Sequence, residues 1–137
     1  MLDRELITRK LVLISTDVEE LRRIHASGIE NYLADPYLEL VSERLMERTI
    51  NRMIDINFHI LKASSLPPPR DYFASFTELG KMGVMDPSFA SRLAGSAGLR
   101  NRIVHEYDSI DPEKIFSAIG DALADIPVYI KAISEKL

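Results

Sequence analysis

Apolar residues return at intervals of three and four along almost the whole chain, and no stretch alternates apolar with polar for more than a few residues. That pattern belongs to helices with one buried stripe and leaves little room for a sheet. Ile7, Leu11, Ile14, Val18 and Leu21 trace the first stripe. Asp3 stands where it can cap the start of that helix, and Gly28 where it can stop it. Residues 29–35 read as a short irregular or helical piece leading to Pro36. The spacing predicts a second helix from Pro36 to about Ser64, with Val41, Leu45, Met53, Ile56 and Ile60 on its buried side.

Prolines divide the second half of the chain. Ser64-Ser65-Leu66-Pro67-Pro68-Pro69 cannot continue a helix, because successive prolines remove donors and clash with the preceding turn. A stiff surface linker is the better reading than a polyproline ligand. A short third helix is expected from Asp71 to about Lys81, with Gly83 just beyond. Asp86-Pro87 and Asp111-Pro112 each set a capping carboxylate before a proline suited to a first turn. They start a fourth helix, Pro87 to about Tyr107, and a fifth, Pro112 to near Lys136. Pro127 is expected to kink the fifth or break it in two. The fold class expected is all-α: an up-and-down bundle of four main helices plus one short helix, forming one domain over residues 1–137.

A chain of 137 residues can bury enough surface to fold without a metal or a disulfide. It contains no cysteine, which excludes thiol nucleophiles, thiolate metal sites and disulfide staples. No apolar run approaches the ~20 residues that cross a bilayer. Met1-Leu2-Asp3-Arg4-Glu5 lacks the basic-then-apolar order of a secretion signal. A cytoplasmic protein is expected, with no membrane contact. The net charge of −4 argues against a broad grip on nucleic acid, so any contact with a polyanion must be local and made by a few arginines.

One run breaks the ordinary helix pattern. Arg100-Asn101-Arg102-Ile103-Val104-His105-Glu106-Tyr107 packs two arginines, an asparagine, a histidine and a tyrosine into about two turns. A solvated face is the plain reading of such a run, with His105 an ordinary helix-end histidine. Other polar features carry less. Asp55 and His59 are four apart and can meet on one helix face, but two ligands do not make a metal site, and a hydrogen-bonded pair supporting the helix is the better reading. His25 lies at a helix C-terminus, where a charged imidazole favours the dipole. Phe73 and Phe76 fit a core. Gly80-Lys81-Met82-Gly83 lacks the length and the trailing hydroxyl of a phosphate loop.

Arg100-Asn101, three residues, His105, one residue and Tyr107 resembles the Arg-x4-His-x-Tyr motif of HEPN-domain proteins, and more narrowly of the HepT toxins encoded beside minimal nucleotidyltransferases. Glu43-Arg44 with residues 54–60, Tyr72-Phe73-Ala74-Ser75-Phe76 with Leu79, and the segment from Asp111 are similar to that family's other helices, in the family's order. The resemblance implies a metal-independent endoribonuclease that needs no cofactor, the toxin of a type VII-like toxin–antitoxin pair. It further implies a homodimer, an RNA substrate, and a partner nucleotidyltransferase antitoxin that attaches AMP to Tyr107. In that chemistry an RNA 2′-hydroxyl loses a proton, attacks the adjacent phosphate and expels the 5′-oxygen. His105 suits the acid–base role, since an ordinary imidazole titrates near neutrality. Arg100 can clamp phosphate oxygens through paired donors, Asn101 can orient the phosphate or the imidazole, and Tyr107 can donate a hydrogen bond. The alternative is a non-catalytic helical partner that binds nucleotide or presents substrate to a nucleotidyltransferase.

Two geometric points accompany this reading. Residues five apart on a regular helix are rotated by about 140°, so Arg100 and His105 do not share one face, whereas Arg100 and Tyr107 do. Either the arginine wraps round, the helix loosens, or a second subunit completes the site, and the dimer is favoured. Arg44, Arg48 and Arg52, four apart, form a basic ridge that local pairing with Glu43 and Glu47 would reduce to plain surface. If the ridge faces the cleft of Arg100 and Arg102, it supplies the positive field that the composition lacks.

Overall fold

In the computed structural model, which describes residues 1–137, the chain forms six helices and no strand. They are α1 (Arg4–Ala26), α2 (Ile29–Ala34), α3 (Pro36–Ala63), α4 (Tyr72–Lys81), α5 (Pro87–His105) and α6 (Pro112–Lys136). Aspartate starts five of them. Asp3, Asp35, Asp71, Asp86 and Asp111 each accept a hydrogen bond from a backbone N–H in the following first turn, satisfying donors that have no partner within the helix. Gly28 ends α1 with φ +88 and at once begins α2, a conformation that a residue with a Cβ rarely adopts.

The all-helical expectation holds, with one short helix more than expected. Residues 29–34 close into α2 because Tyr32 is drawn inward: its ring is 1% exposed and its hydroxyl lies 2.7 Å from Ser42 Oγ. Phe116 packs on Tyr32 and stacks with His25 at 4.4 Å between ring centres, so His25 serves packing. The expected break at Pro127 is absent, and α6 runs unbroken to Lys136. Pro127 lies on the exposed face, where solvent can reach the carbonyl left without a donor. Ile126, Tyr129 and Ile133 meanwhile hold the inner face in the core.

Two adjoining apolar clusters hold the bundle. The larger joins α1, α3, α4, α5 and α6 through Ile7, Ile14, Ile56, Phe76, Leu93 and Tyr129, among others. Each fully buried isoleucine contributes about 1.5–3 kcal/mol by leaving water. Inside this cluster Tyr129 donates toward Asn57 Oδ1 at 2.7 Å, and Asn57 donates to Ser75 Oγ at 3.2 Å, which ties α6, α3 and α4 together. Burial pushes the Tyr129 hydroxyl well above its ordinary pKa, so it remains a donor. The smaller cluster, with Leu21, Tyr32, Leu45, Ile103 and Ile115, grips the last turns of α5.

The placement of α5 matters most. It packs against α4 and α3 and stands off from α6. Gly80 allows the close approach of α4, since a Cβ there would lie 2.8 Å from Ala90 Cβ. Val41 is only half-buried, while Leu45, Met53, Ile56 and Ile60 are buried as the spacing predicts. No helix is long and apolar enough to cross a membrane.

Candidate active site

The α5 helix ends two residues earlier than the sequence suggested. Glu106 caps it with φ −124 and ψ 34, and the Ser109 N–H bonds the Glu106 carbonyl at 3.0 Å as the chain turns toward Asp111 and α6. Tyr107 is therefore off the helix and 69% exposed, and it does not share a helix face with Arg100.

Within α5, Ile103 is buried. Asn101 and His105 lie two residues to either side, each about 200° round the helix axis, so burying Ile103 turns both outward. With Ala97 they form an i, i+4 stripe. That stripe lines an open cleft of about 550 Å³ between α5 and the first turn of α4, together with Asp71, Tyr72, Phe73, Gly98 and Arg100. Arg100, Asn101 and His105 thus meet in one cleft of a single protomer. The 140° offset is bridged by the length of the arginine.

The arginine is held from three sides. Its Nε donates to Asn51 Oδ1 on α3 at 2.9 Å, and its Nη1 donates to Asn101 Oδ1 at 3.2 Å. The guanidinium carbon stands 5.4 Å from the centre of the Tyr72 ring, a cation–π contact. Phe58 braces that ring edge-on at 6.1 Å. Anchoring Nε leaves the terminal Nη edge of the fork, whose two nitrogens can each donate to one oxygen of a phosphate. An anion so held would lie in the cleft that His105 also lines, and an imidazole can take up or release a proton there.

Asn51 and Tyr72 were not singled out as site residues from the sequence, because both join Arg100 across the tertiary fold. Phe73, expected in the core, is 47% exposed and lines the cleft, while Phe76 is fully buried. Arg102 projects to the other side of α5, where it lines a separate groove between α5 and α6. The arginine ridge divides. Arg44 pairs locally with Glu47 at 3.4 Å. Arg48 and Arg52 converge instead on buried Asp17 of α1, at 2.7 and 2.8 Å. Asp55 pairs with Lys10 at 3.2 Å, and His59 Nε2 accepts the Asp3 N–H at 2.9 Å, so these two do not pair with each other.

Known proteins resemble this chain along nearly its whole length. Residues 14–133 match the HepT-like family, described as ribonuclease HepT-like. The protein named tRNA nuclease HepT from Aphanizomenon flos-aquae is 40% identical over 134 residues, covering 96% of this chain and 90% of its own. The protein named mRNA nuclease HepT from Shewanella oneidensis is 23% identical over 129 residues, covering 94% and 96%. Among solved structures, a toxin–antitoxin complex with AMP-PNP superposes with a TM-score of 0.89 at 22% identity, covering 96% of this chain and 99% of that one. The tri-AMPylated Shewanella oneidensis HEPN toxin in complex with its MNT antitoxin gives 0.88 at 22%, covering 97% and 99%. A family match across nearly the whole chain and a 40% identical relative place this protein in the HepT-like family.

Proposed function

We propose that this chain is a metal-independent endoribonuclease, the toxin of a toxin–antitoxin pair, working as a cytoplasmic homodimer. The observation that carries the reading is the single cleft shared by Arg100, Asn101 and His105, with Nε of Arg100 held by Asn51, Nη1 by Asn101, and Nη2 without a protein acceptor. Arg100 clamps the phosphate and offsets the charge that develops on it. His105 moves the proton of the 2′-hydroxyl or of the leaving 5′-oxygen. Acid and base at opposite ends of the cleaved bond are most easily two groups, and a twofold dimer supplies two copies of His105. Asn101 orients the guanidinium edge. The name of the 40% identical relative favours tRNA over mRNA as substrate.

The groove between α5 and α6 supports the dimer. It measures about 540 Å³, has Met46, Ile50 and Met53 in its floor, and carries Arg102, Lys114 and Asp121 among both signs of charge on its walls. Twofold contacts suit such a surface, because a basic group on one copy that meets an acidic group on the other is matched by the same pair across the axis. Arg44, exposed and paired only locally with Glu47, is the cation of the ridge left for the RNA backbone. Regulation falls on Tyr107 in this reading: it is exposed beyond the helix end, where a partner nucleotidyltransferase can reach its hydroxyl to attach AMP. Arg102 and Lys114 flank that turn.

The deciding experiment incubates the purified chain with end-labelled tRNA and mRNA fragments in excess EDTA. Cleavage leaving 2′,3′-cyclic phosphate ends is expected, and intact RNA at micromolar protein would end the proposal. A companion prediction concerns Asn51. Asn51→Ala is expected to lower kcat about tenfold by releasing the Nε edge of Arg100, with a smaller change in KM. Asn51→Asp keeps an acceptor oxygen and should retain most of the rate. Equal loss in both variants would mean that Asn51 does not act through that hydrogen bond.

A further inference from the structure

Beside the guanidinium and the imidazole, the cleft contains an aromatic face without a ring partner. Phe73 belongs to the first turn of α4, directly after Tyr72, and is 47% exposed. Its neighbour's ring is engaged by Arg100 and Phe58, whereas Phe73 makes no ring–ring or cation–π contact. Half-exposing a phenylalanine forgoes the stabilisation that burial would supply. It does so here in the one cleft that also contains Arg100, Asn101 and His105.

Resting on the ribonuclease reading, we propose that Phe73 is a stacking platform for an unpaired RNA base next to the bond that is cut. A nucleotide binds through its phosphate and its base, and this cleft offers a fork for the first and a flat apolar ring for the second. At about 550 Å³ it falls within the range of small-ligand clefts. Stacking on an aromatic side chain requires a base that is free of its helix, because paired bases in an A-form duplex are not available to be splayed out. The substrate class is then a single-stranded loop, bulge or end, read by ring stacking and therefore with weak preference among bases. The same requirement lets a chain of net charge −4 hold RNA, because stacking adds affinity without adding positive charge.

The test uses a short single-stranded RNA that the wild type cleaves, a version with an abasic site on either side of the cut, and an uncleavable 2′-deoxy version carrying 2-aminopurine there. Phe73→Ala is expected to raise KM on the order of tenfold, with a smaller change in kcat, and to abolish the quenching of 2-aminopurine. Phe73→Trp should restore both. Phe73→Leu, which keeps apolar bulk but offers no flat ring, should behave like alanine. The abasic substrate should cost the wild type as much as the mutation does, and should cost Phe73→Ala nothing further. Wild-type KM and quenching in Phe73→Ala and Phe73→Leu, with cleavage intact, would overturn the platform and leave the ribonuclease reading in place. Loss of dimer on sedimentation, with KM unchanged per dimer, would reassign Phe73 to a protein contact. A wild type that neither cuts nor binds these RNAs overturns both readings.

Discussion

His105→Gln is expected to slow RNA cleavage by at least about a hundredfold while leaving the fold and RNA binding intact. His105 is exposed at the last turn of α5, and no side-chain hydrogen bond ties it to the rest of the protein, so the substitution disturbs no packing. Glutamine keeps a donor and an acceptor but cannot carry a proton in the neutral range. Arg100→Lys should lose a further measure of rate, about 10²–10³-fold from wild type, although it keeps the charge. Lysine has no Nε–H for Asn51 and no planar fork for two phosphate oxygens. Single-turnover cleavage at saturating protein, with circular dichroism to certify the fold, measures both. Wild-type rate in His105→Gln would show that the imidazole moves no proton in the slow step. Another group would then move that proton, whereas a wild type that binds RNA or nucleotide without cutting would make the cleft a nucleotide- or substrate-binding module, for which Arg100 matters and His105 does not.

The part of this site that the sequence shows is the part that lies on one helix. The motif from Arg100 to His105 is readable because its members are near neighbours in the chain, and the caps at Asp3, Asp86 and Asp111 are readable because capping is local. The end of α5 is less so. Whether a helix stops at His105 or Tyr107 depends on how the chain must turn to bring Asp111 to the start of α6. Asn51 carries no local signal, and Tyr72 and Phe73, although they stand in a segment similar to the family's, carry none that they reach the cleft of Arg100. A 3.6-residue period tells which face of a helix is apolar, but not which neighbour it meets. Phe73 and Phe76 are both apolar, three apart on α4, and only the position of α5 decides that one is buried and the other lines a cleft. The 140° offset looked like an obstacle because it was measured between Cβ directions. A side chain as long as arginine, anchored at its far end by α3, removes it.

The arginine ridge illustrates the same limit and leads to the largest expected effect on stability. Asp17→Ala is predicted to cost about 2–3 kcal/mol, seen as a fall of roughly 6–12 °C in the melting midpoint. Asp17 is 4% exposed, and it accepts Nε and Nη2 of Arg48 and Nη1 of Arg52. Neither arginine pairs with Glu43 or Glu47 in this arrangement; only Arg44, three residues before Glu47, makes the local pair along α3. Removing the carboxylate leaves two guanidinium groups facing each other over an apolar seam between α1 and α3. The Arg48 side chain is 40% exposed and can turn to water, whereas that of Arg52 is 20% exposed and bears most of the penalty. This division puts the cost below the roughly 3–5 kcal/mol of a fully buried pair. Asp17→Asn, which keeps acceptor geometry without the charge, should fall between. Asp17→Leu combined with Arg48→Met and Arg52→Met should recover much of the loss, because what costs energy is the unpaired charge. Well below its melting point Asp17→Ala should still cleave RNA, since α3 continues to present Asn51 to Arg100. Full stability in Asp17→Ala would show that α1 and α3 are joined by their apolar stripe alone, and loss of cleavage in a folded Asp17→Ala would tie Arg48 and Arg52 to the substrate after all.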